Sequence, residues 1–417
     1  MKSRPARRLS RWPRSRHWAA WGKAHPALPI ALRFAQRFLK WEGVVGLGVG
    51  KKLRGRSLRI VRPAGAPGGL CIQVFVTRKV SAAQIRRLGG EVLPKTIPVR
   101  LPGRKTPVRV PVDVLSASPY EAPSGGIQLE SGRLRSLTVV GTTNVGRLFG
   151  IFPRPGGNPA SGLEAGTVGA FVRESTAQCH AVSAGHVFIP TSTPPWRIPT
   201  GDRTLHIANG VRTPLPRNQF VTRELGLPPD LLDAVVFRVP PPLDPAPPAC
   251  SWPAEFDGEL ATATDTVRVG AEDREGSWLW VQRERQLDPH GANAREPFRL
   301  EVNLIGLTPQ PFERVVLATG RRIRYPEVWY YRYPLATLAD ADAENPWRVS
   351  VGGDSGAGLY VPAADGSDHY RLLGFHIYRE RQNGDGPWIG YAVPAEQFLR
   401  QALEGRHREN WWFYGKE

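Results

Sequence analysis

Gly352-Gly353-Asp354-Ser355-Gly356-Ala357-Gly358-Leu359 is the stretch on which the reading of this chain turns. A nucleophilic serine must present its Oγ and its own N–H to one carbonyl, and that needs a sharply bent backbone. Glycines at 353 and 356 permit the bend, because glycine accepts backbone angles that other residues resist. The N–H groups of Gly353 and Ser355 would then face a developing oxyanion, usually the largest electrostatic contribution in acyl transfer. An ordinary glycine-rich turn running into the apolar segment Leu359-Tyr360-Val361 looks the same. The partners of the serine decide.

Such a serine needs a base within hydrogen-bond reach, and the base needs a carboxylate to orient it. Among nine histidines, His186 ends the run Ala181-Val182-Ser183-Ala184-Gly185-His186, whose small residues leave room for an imidazole. Asp233 opens the run Asp233-Ala234-Val235-Val236-Phe237. A carboxylate at the mouth of so apolar a strand is partly buried and requires a partner. Taken singly, each residue suits a structural role. Together they occur in the order His, Asp, Ser, whereas an α/β-hydrolase runs Ser, Asp, His and subtilisin runs Asp, His, Ser.

These segments resemble those of the chymotrypsin-like (trypsin-like) serine peptidases. Ser183-Ala184-Gly185-His186 resembles the family's Thr/Ser-Ala-Ala-His, Asp233-Ala234-Val235-Val236 its Asp-Ile-Ala-Leu, and Gly353-Asp354-Ser355-Gly356 its Gly-Asp-Ser-Gly-Gly segment. The resemblance spans roughly residues 135–405 and implies two six-stranded β-barrels. It implies His186, Asp233 and Ser355 as the catalytic residues, with Gly353 and Ser355 as the oxyanion hole. Six residues before the serine stands Val349, where trypsin-type members carry an aspartate, so cleavage after Lys or Arg is not expected. Gly374-Phe375-His376-Ile377-Tyr378-Arg379 looks like the family's pocket-wall strand. A histidine there resembles that of glutamate-specific peptidases and of glutamine-preferring viral relatives. With Arg379 three residues on, an acidic or amide side chain is the expected occupant. Val349, His376 and Arg379 are thus the expected substrate-binding residues.

Charge is unevenly spread. The net charge is +19 overall, yet residues 1–110 hold 26 Lys/Arg against two acids, Glu42 and Glu91. Such asymmetry suits nucleic acid or an acidic partner bound through residues 1–115, and a solvated basic region explains it as well. The glycines of Val44–Gly50 fail the phosphate-loop and dinucleotide spacings, which argues against nucleotide binding there. No HExxH or paired Cys-x-x-Cys spacing occurs, so no metal and no cofactor are expected. Three distant cysteines, no secretory signal and no apolar run long enough to span a membrane suggest a reducing cytoplasm.

The expected fold is mainly β: two six-stranded-type barrels of the chymotrypsin-like fold, preceded by a small α/β domain and a basic tail. Residues 1–25 read as a disordered tail whose Trp12, Trp18 and Trp21 suit base stacking or a membrane interface. Residues 26–115 read as the α/β domain, 116–135 as a linker, 136–240 as the first barrel and 241–417 as the second. Helices are expected from Ala31 to Trp41, Ser81 to Leu88 and Ala395 to Leu403, and a strand at Thr266–Val269. The resulting expectation is a serine endopeptidase. The alternative is a catalytically silent protease-like protein that binds a partner through its basic N-terminal region.

Overall fold

A computed structural model describes residues 16–54, 59–63, 66–117, 149–153, 166–167, 169–174, 179–184, 203–207, 212–214, 234–238, 253, 255–271, 277–286, 293–309, 312–316, 321–325, 327–334, 350, 354–382, 387–396, 399 and 411–413. Among them the protein is mainly β with a few helices. No helix of the described residues is long and apolar enough to cross a membrane.

The chain opens with two helices, α1 (Arg16–Ala24) and α2 (Ala27–Ala35), and a 3-10 turn over Gln36–Lys40. The part of the expected disordered tail from Arg16 onward is therefore ordered helix. The reason is tertiary: His17 and Trp21, one turn apart, are buried against Trp329 at ring-centroid distances of 5.1 and 6.2 Å. Trp21 is a core residue rather than a stacking platform for bases. The helix expected from Ala31 to Trp41 starts earlier, at Ala27, and passes into the 3-10 turn after Ala35. Ala27, Leu28, Ala31, Leu32 and Ala35 form its buried stripe at the 3.6-residue period, while Phe34 and Leu39 are exposed.

That stripe covers one face of a sheet built from β1 (Val44–Arg54), β2 (Arg59–Val61), β3 (Leu70–Val76), β4 (Thr96–Val99) and β5 (Val108–Ser116). Between β3 and β4 lies α3 (Ala82–Arg87), started by a capping box in which Ser81 and Gln84 satisfy each other's backbone N–H. β3 and β5 run parallel and the other pairs antiparallel.

The middle of the chain contributes β6 (Phe149–Pro153), β7 (Gly166–Thr167), β8 (Ala170–Glu174), β9 (Cys179–Ala184), β10 (Arg203–Ile207), β11 (Arg212–Pro214) and β12 (Ala234–Arg238). They form two four-stranded sheets, β11-β10-β6-β7 and β12-β9-β8 with a last strand from the C-terminus. The segments Leu137–Val140 and Pro240–Pro248 lie outside the described residues.

The remainder begins with β13 (Phe256–Leu260) and α4 (Ala263–Ala271). The strand expected at Thr266–Val269 is thus helix. Thr262 and Asp265 outweigh the β-branched residues. Asp265 Oδ2 accepts from Thr262 N at 2.6 Å and from its hydroxyl at 2.8 Å, while Asp265 N donates to Thr262 Oγ1 at 3.2 Å. Then come β14 (Ser277–Gln286), β15 (Asn293–Thr308), β16 (Phe312–Val316), β17 (Arg321–Tyr325), β18 (Val328–Arg332), β19 (Gly358–Pro362), β20 (Tyr370–Arg381), β21 (Trp388–Pro394) and β22 (Trp411–Phe413). The segment Ala395–Leu403, expected as helix, is described only in part.

Six of these strands pair antiparallel in a cycle that returns on itself, β14-β15-β18-β21-β20-β19-β14. In sequence order the ring reads first, second, third, sixth, fifth, fourth. Tyr330, Tyr331, Tyr333, Phe375 and Tyr391 are fully buried in this part of the molecule, and burying each such ring contributes about 1.5–3 kcal/mol.

The ring and the N-terminal sheet share one continuous ladder, because β1 pairs with β15 at Val49↔Leu307 and Gly50↔Gly306. A Cβ on Gly306 would collide with the Val49 carbonyl oxygen, so the approach itself requires glycine. Through this gap the Tyr330 hydroxyl donates to Gln73 Oε1, whose amide in turn donates to Lys51 O at 2.8 Å. At the far end of β20, Gln382 accepts from Ser116 N at 2.9 Å and donates to Ser116 O at 2.8 Å.

Candidate active site

Asp354 to Ala357 forms a tight turn leading into β19. Ala357 N donates to Asp354 O at 2.9 Å, Gly356 N to His376 O at 2.7 Å, and His376 N to Ala357 O at 2.8 Å. Gly356 has φ of +98°, in the region that favours glycine. The turn leaves Ser355 half-buried, with Oγ 3.4 Å from the Ile377 carbonyl oxygen, and Asp354 beneath it buried.

The other side of this turn touches the middle of the chain. Thr167 N donates to Ser355 O at 2.8 Å, Ser183 Oγ to Thr167 O at 2.7 Å, and Gly169 N to Val182 O at 2.8 Å. A Cβ on Gly356 would collide with the Thr167 carbonyl oxygen and lie 2.5 Å from Ser183 Oγ and 3.0 Å from Ala184 N. Ala184 ends β9 and stands two residues before His186 in the sequence, while Ala234 opens β12 directly after Asp233. Ala184 and Ala234 are register partners. Residues one or two positions from each of the three expected catalytic residues therefore meet in one place. His186, Asp233, Gly353 and Val349 themselves lie outside the described residues.

His376 is buried, and its Nδ1 lies 2.5 Å from the Tyr331 hydroxyl oxygen. Tyr331 in turn bonds to Tyr333, and the Tyr333 hydroxyl reaches Ser350 Oγ at 2.7 Å. Burial is the main cause that pushes the Tyr331 hydroxyl well above the ordinary phenol range and the Tyr333 hydroxyl up to about 12. Hydrogen bonding to Ser350 and the Arg379 charge pull Tyr333 the other way. Both phenols therefore keep their protons and act as O–H donors. Arg379 lies over the Trp388 ring at 3.8 Å, and Arg381 over the same ring at 4.8 Å.

Among the described residues, β19 pairs with β20 only as far as Gly358↔Phe375, whereas β21 pairs with it out to Arg381. His376 still bonds through its N–H and C=O to Ala357 O and Gly356 N, and only beyond it does β19 leave this edge of β20, directly beside Ser355. An extended peptide can add to such an edge through main-chain hydrogen bonds. Tyr331, Tyr333, Ser350, Thr167 and Trp388 were not expected at the site. For Tyr331, Tyr333 and Ser350 the signal in the sequence is the aromatic run Trp329-Tyr330-Tyr331-Arg332-Tyr333 and the place of Ser350 five residues before Ser355. No group of three or more His, Cys, Asp or Glu among the described residues is placed to hold a metal ion.

No family model matches the chain, and no curated protein matches it. Among solved structures it is similar to the Nocardiopsis protease NAPase, at 12% identity and a TM-score of 0.31, over 64% of this chain and 97% of that one. A likeness of that size establishes neither a family nor an activity.

Proposed function

We propose that this protein is a serine endopeptidase of chymotrypsin-like, two-barrel architecture. The observation that carries the reading is the meeting of Ala184, Ala234 and Gly356. Three segments distant in sequence, each adjoining one member of a His-Asp-Ser set, converge on a turn that presents a serine. The six-strand cycle that bears Ser355, and the edge of β20 beside it, support the same reading.

In this mechanism Ser355 Oγ attacks a peptide carbonyl while His186 takes its proton, forming a C–O bond. Asp233 holds the imidazole in one tautomer and stabilises the imidazolium. The backbone N–H groups of Gly353 and Ser355 receive the oxyanion. As the tetrahedral intermediate collapses, the C–N bond breaks and His186 gives the proton to the departing amine. Water, activated by the same imidazole, then hydrolyses the acyl-enzyme. His376, held by Tyr331, and Arg379, held on Trp388, favour a Glu or Gln side chain at the cleaved position.

The test is labelling with a fluorophosphonate, read by intact mass, together with digestion of a peptide library. Wild type should gain one adduct and Ser355→Ala none, with hydrolysis falling by at least about 10³-fold. If the alanine variant labels or cleaves equally, the serine is wrongly assigned. If neither protein labels, the chain is a silent protease-like binding protein.

A further inference from the structure

We propose that one end of the N-terminal sheet is a docking surface for the phosphodiester backbone of nucleic acid. The inference is independent of the peptidase reading and goes beyond it. Strand register places the C-terminal end of β1, all of β2, the N-terminal ends of β3 and β5 and the C-terminal end of β4 at the same end of the sheet. The pairs that fix this are Arg54↔Arg59, Lys51↔Leu70, Ile72↔Val112 and Val99↔Val108.

Exposed cations gather there from both sides. Arg54, Arg59 and Arg62 come from β1, β2 and the residue after β2. Arg100, Arg104, Lys105 and Arg109 come from the β4–β5 turn and the start of β5. No Asp or Glu occurs in residues 43–70 or 92–112, and Asp113, the next acid along, is half-buried with Oδ2 accepting from Leu53 N at 2.9 Å. The exposed charges that these segments present are therefore all positive.

The chemistry chooses among polyanions. Six of these seven groups are guanidiniums, whose planar forks suit phosphate oxygens better than a point charge does. The four strands β1, β3, β5 and β4 lie side by side and span about 14 Å at the usual strand spacing of about 4.8 Å. A duplex presents one charge per about 1.7 Å of axis, so that span faces about eight phosphates, enough for every cation in the set. A lipid surface would call for exposed apolar side chains among the cations. The exposed large apolar residues of the described chain are Ile30, Phe34, Leu39, Val80 and Leu88, none of which lies in the strands and turns that carry these cations.

Binding is expected to be independent of base sequence and steeply dependent on salt. The test is fluorescence anisotropy of a labelled 20-base-pair duplex and a 20-nucleotide strand with the full chain, over a salt titration. Arg100→Glu/Arg104→Glu/Lys105→Glu should weaken binding by about 10-fold or more and flatten the log–log salt slope by about 2–3. Arg78→Glu/Arg86→Glu/Arg87→Glu changes net charge by the same amount at the opposite end of the sheet and should cost less than about 3-fold. Circular dichroism checks the fold of each. If the first triple variant does not fold, single reversals at Arg59 and Arg104 are compared with Arg86→Glu. Equal losses from the two ends would overturn the proposal, as would no binding at low salt. Equal affinity and equal mutational sensitivity towards polyglutamate or phosphatidylserine vesicles would overturn the choice of nucleic acid.

Discussion

Gly356 concentrates the constraints on the candidate site at a single residue. It has φ of +98°, and a Cβ there would meet the Thr167 carbonyl oxygen, Ser183 Oγ and Ala184 N. Gly366 also has positive φ, +85°, but open space around it. The pair separates backbone strain from collision. Gly366→Ala should cost about 1 kcal/mol, the strain alone. Gly356→Ala should cost about 3 kcal/mol or more and abolish fluorophosphonate labelling, since Ser355 can no longer sit against Thr167. Thermal melts of the two variants check the difference. Similar small losses in both would show that the turn is not held by the middle of the chain.

At the scale of elements, α1 is held to the ring by a buried histidine, and that makes the contact sensitive to acid. Thr266 Oγ1 donates to Ala263 O at 3.0 Å, so His17 Nδ1, 3.0 Å from that hydroxyl, must be the donor. Burial above all lowers the pKa of His17 from 6.5 to about 4. Asp265 pulls it up and Arg16 pushes it down, and Glu396 lies 3.8 Å from Nε2. The folded pKa is depressed, so the unfolded chain binds the proton more readily. Stability is then unaffected above about pH 6.5 and falls as pH drops towards 4, by at most about 3 kcal/mol. Urea unfolding of wild type and His17→Gln across that window checks this, and the variant should lack this part of the slope. A wild-type slope unchanged by the substitution would mean that other groups carry it.

For the whole molecule, the N-terminal sheet and the ring are one body. The β1–β15 ladder, the Tyr330–Gln73 bond, the Gln382–Ser116 pair and the packing of His17 and Trp21 on Trp329 all cross between them. Removing residues 1–117 would expose Trp329, Tyr330 and Phe312, at about 1.5–3 kcal/mol each, against a typical net stability of about 5–15 kcal/mol. The chain 118–417 should therefore show no cooperative melt and should bind a dye for exposed apolar surface. A sharp transition and full labelling of Ser355 in that fragment would show that the ring stands alone.

What the sequence alone determined are features set within a few residues. The glycine at 356, the helix start at Ser81 and the strands that carry Leu359-Tyr360-Val361 and Gly374 to Arg379 could be read directly, because turn angles, caps and periodicity depend on near neighbours. The order His186, Asp233, Ser355 is a sequence expectation of the same kind; the structure brings Ala184, Ala234 and Gly356 together, while His186 and Asp233 lie outside the described residues. The tertiary structure alone decided that α1 is ordered, that β1 extends the ring, and that Tyr331 meets His376. His17 and Thr266 are 249 residues apart, and Gln73 and Tyr330 are 257 apart. Contacts of that range form because folding must bury apolar faces and satisfy buried polar groups jointly, and no local window of sequence contains both partners. Thr266–Val269 belongs between the two cases, where a cap at Thr262 and Asp265, itself local, outweighed a β-branched pattern.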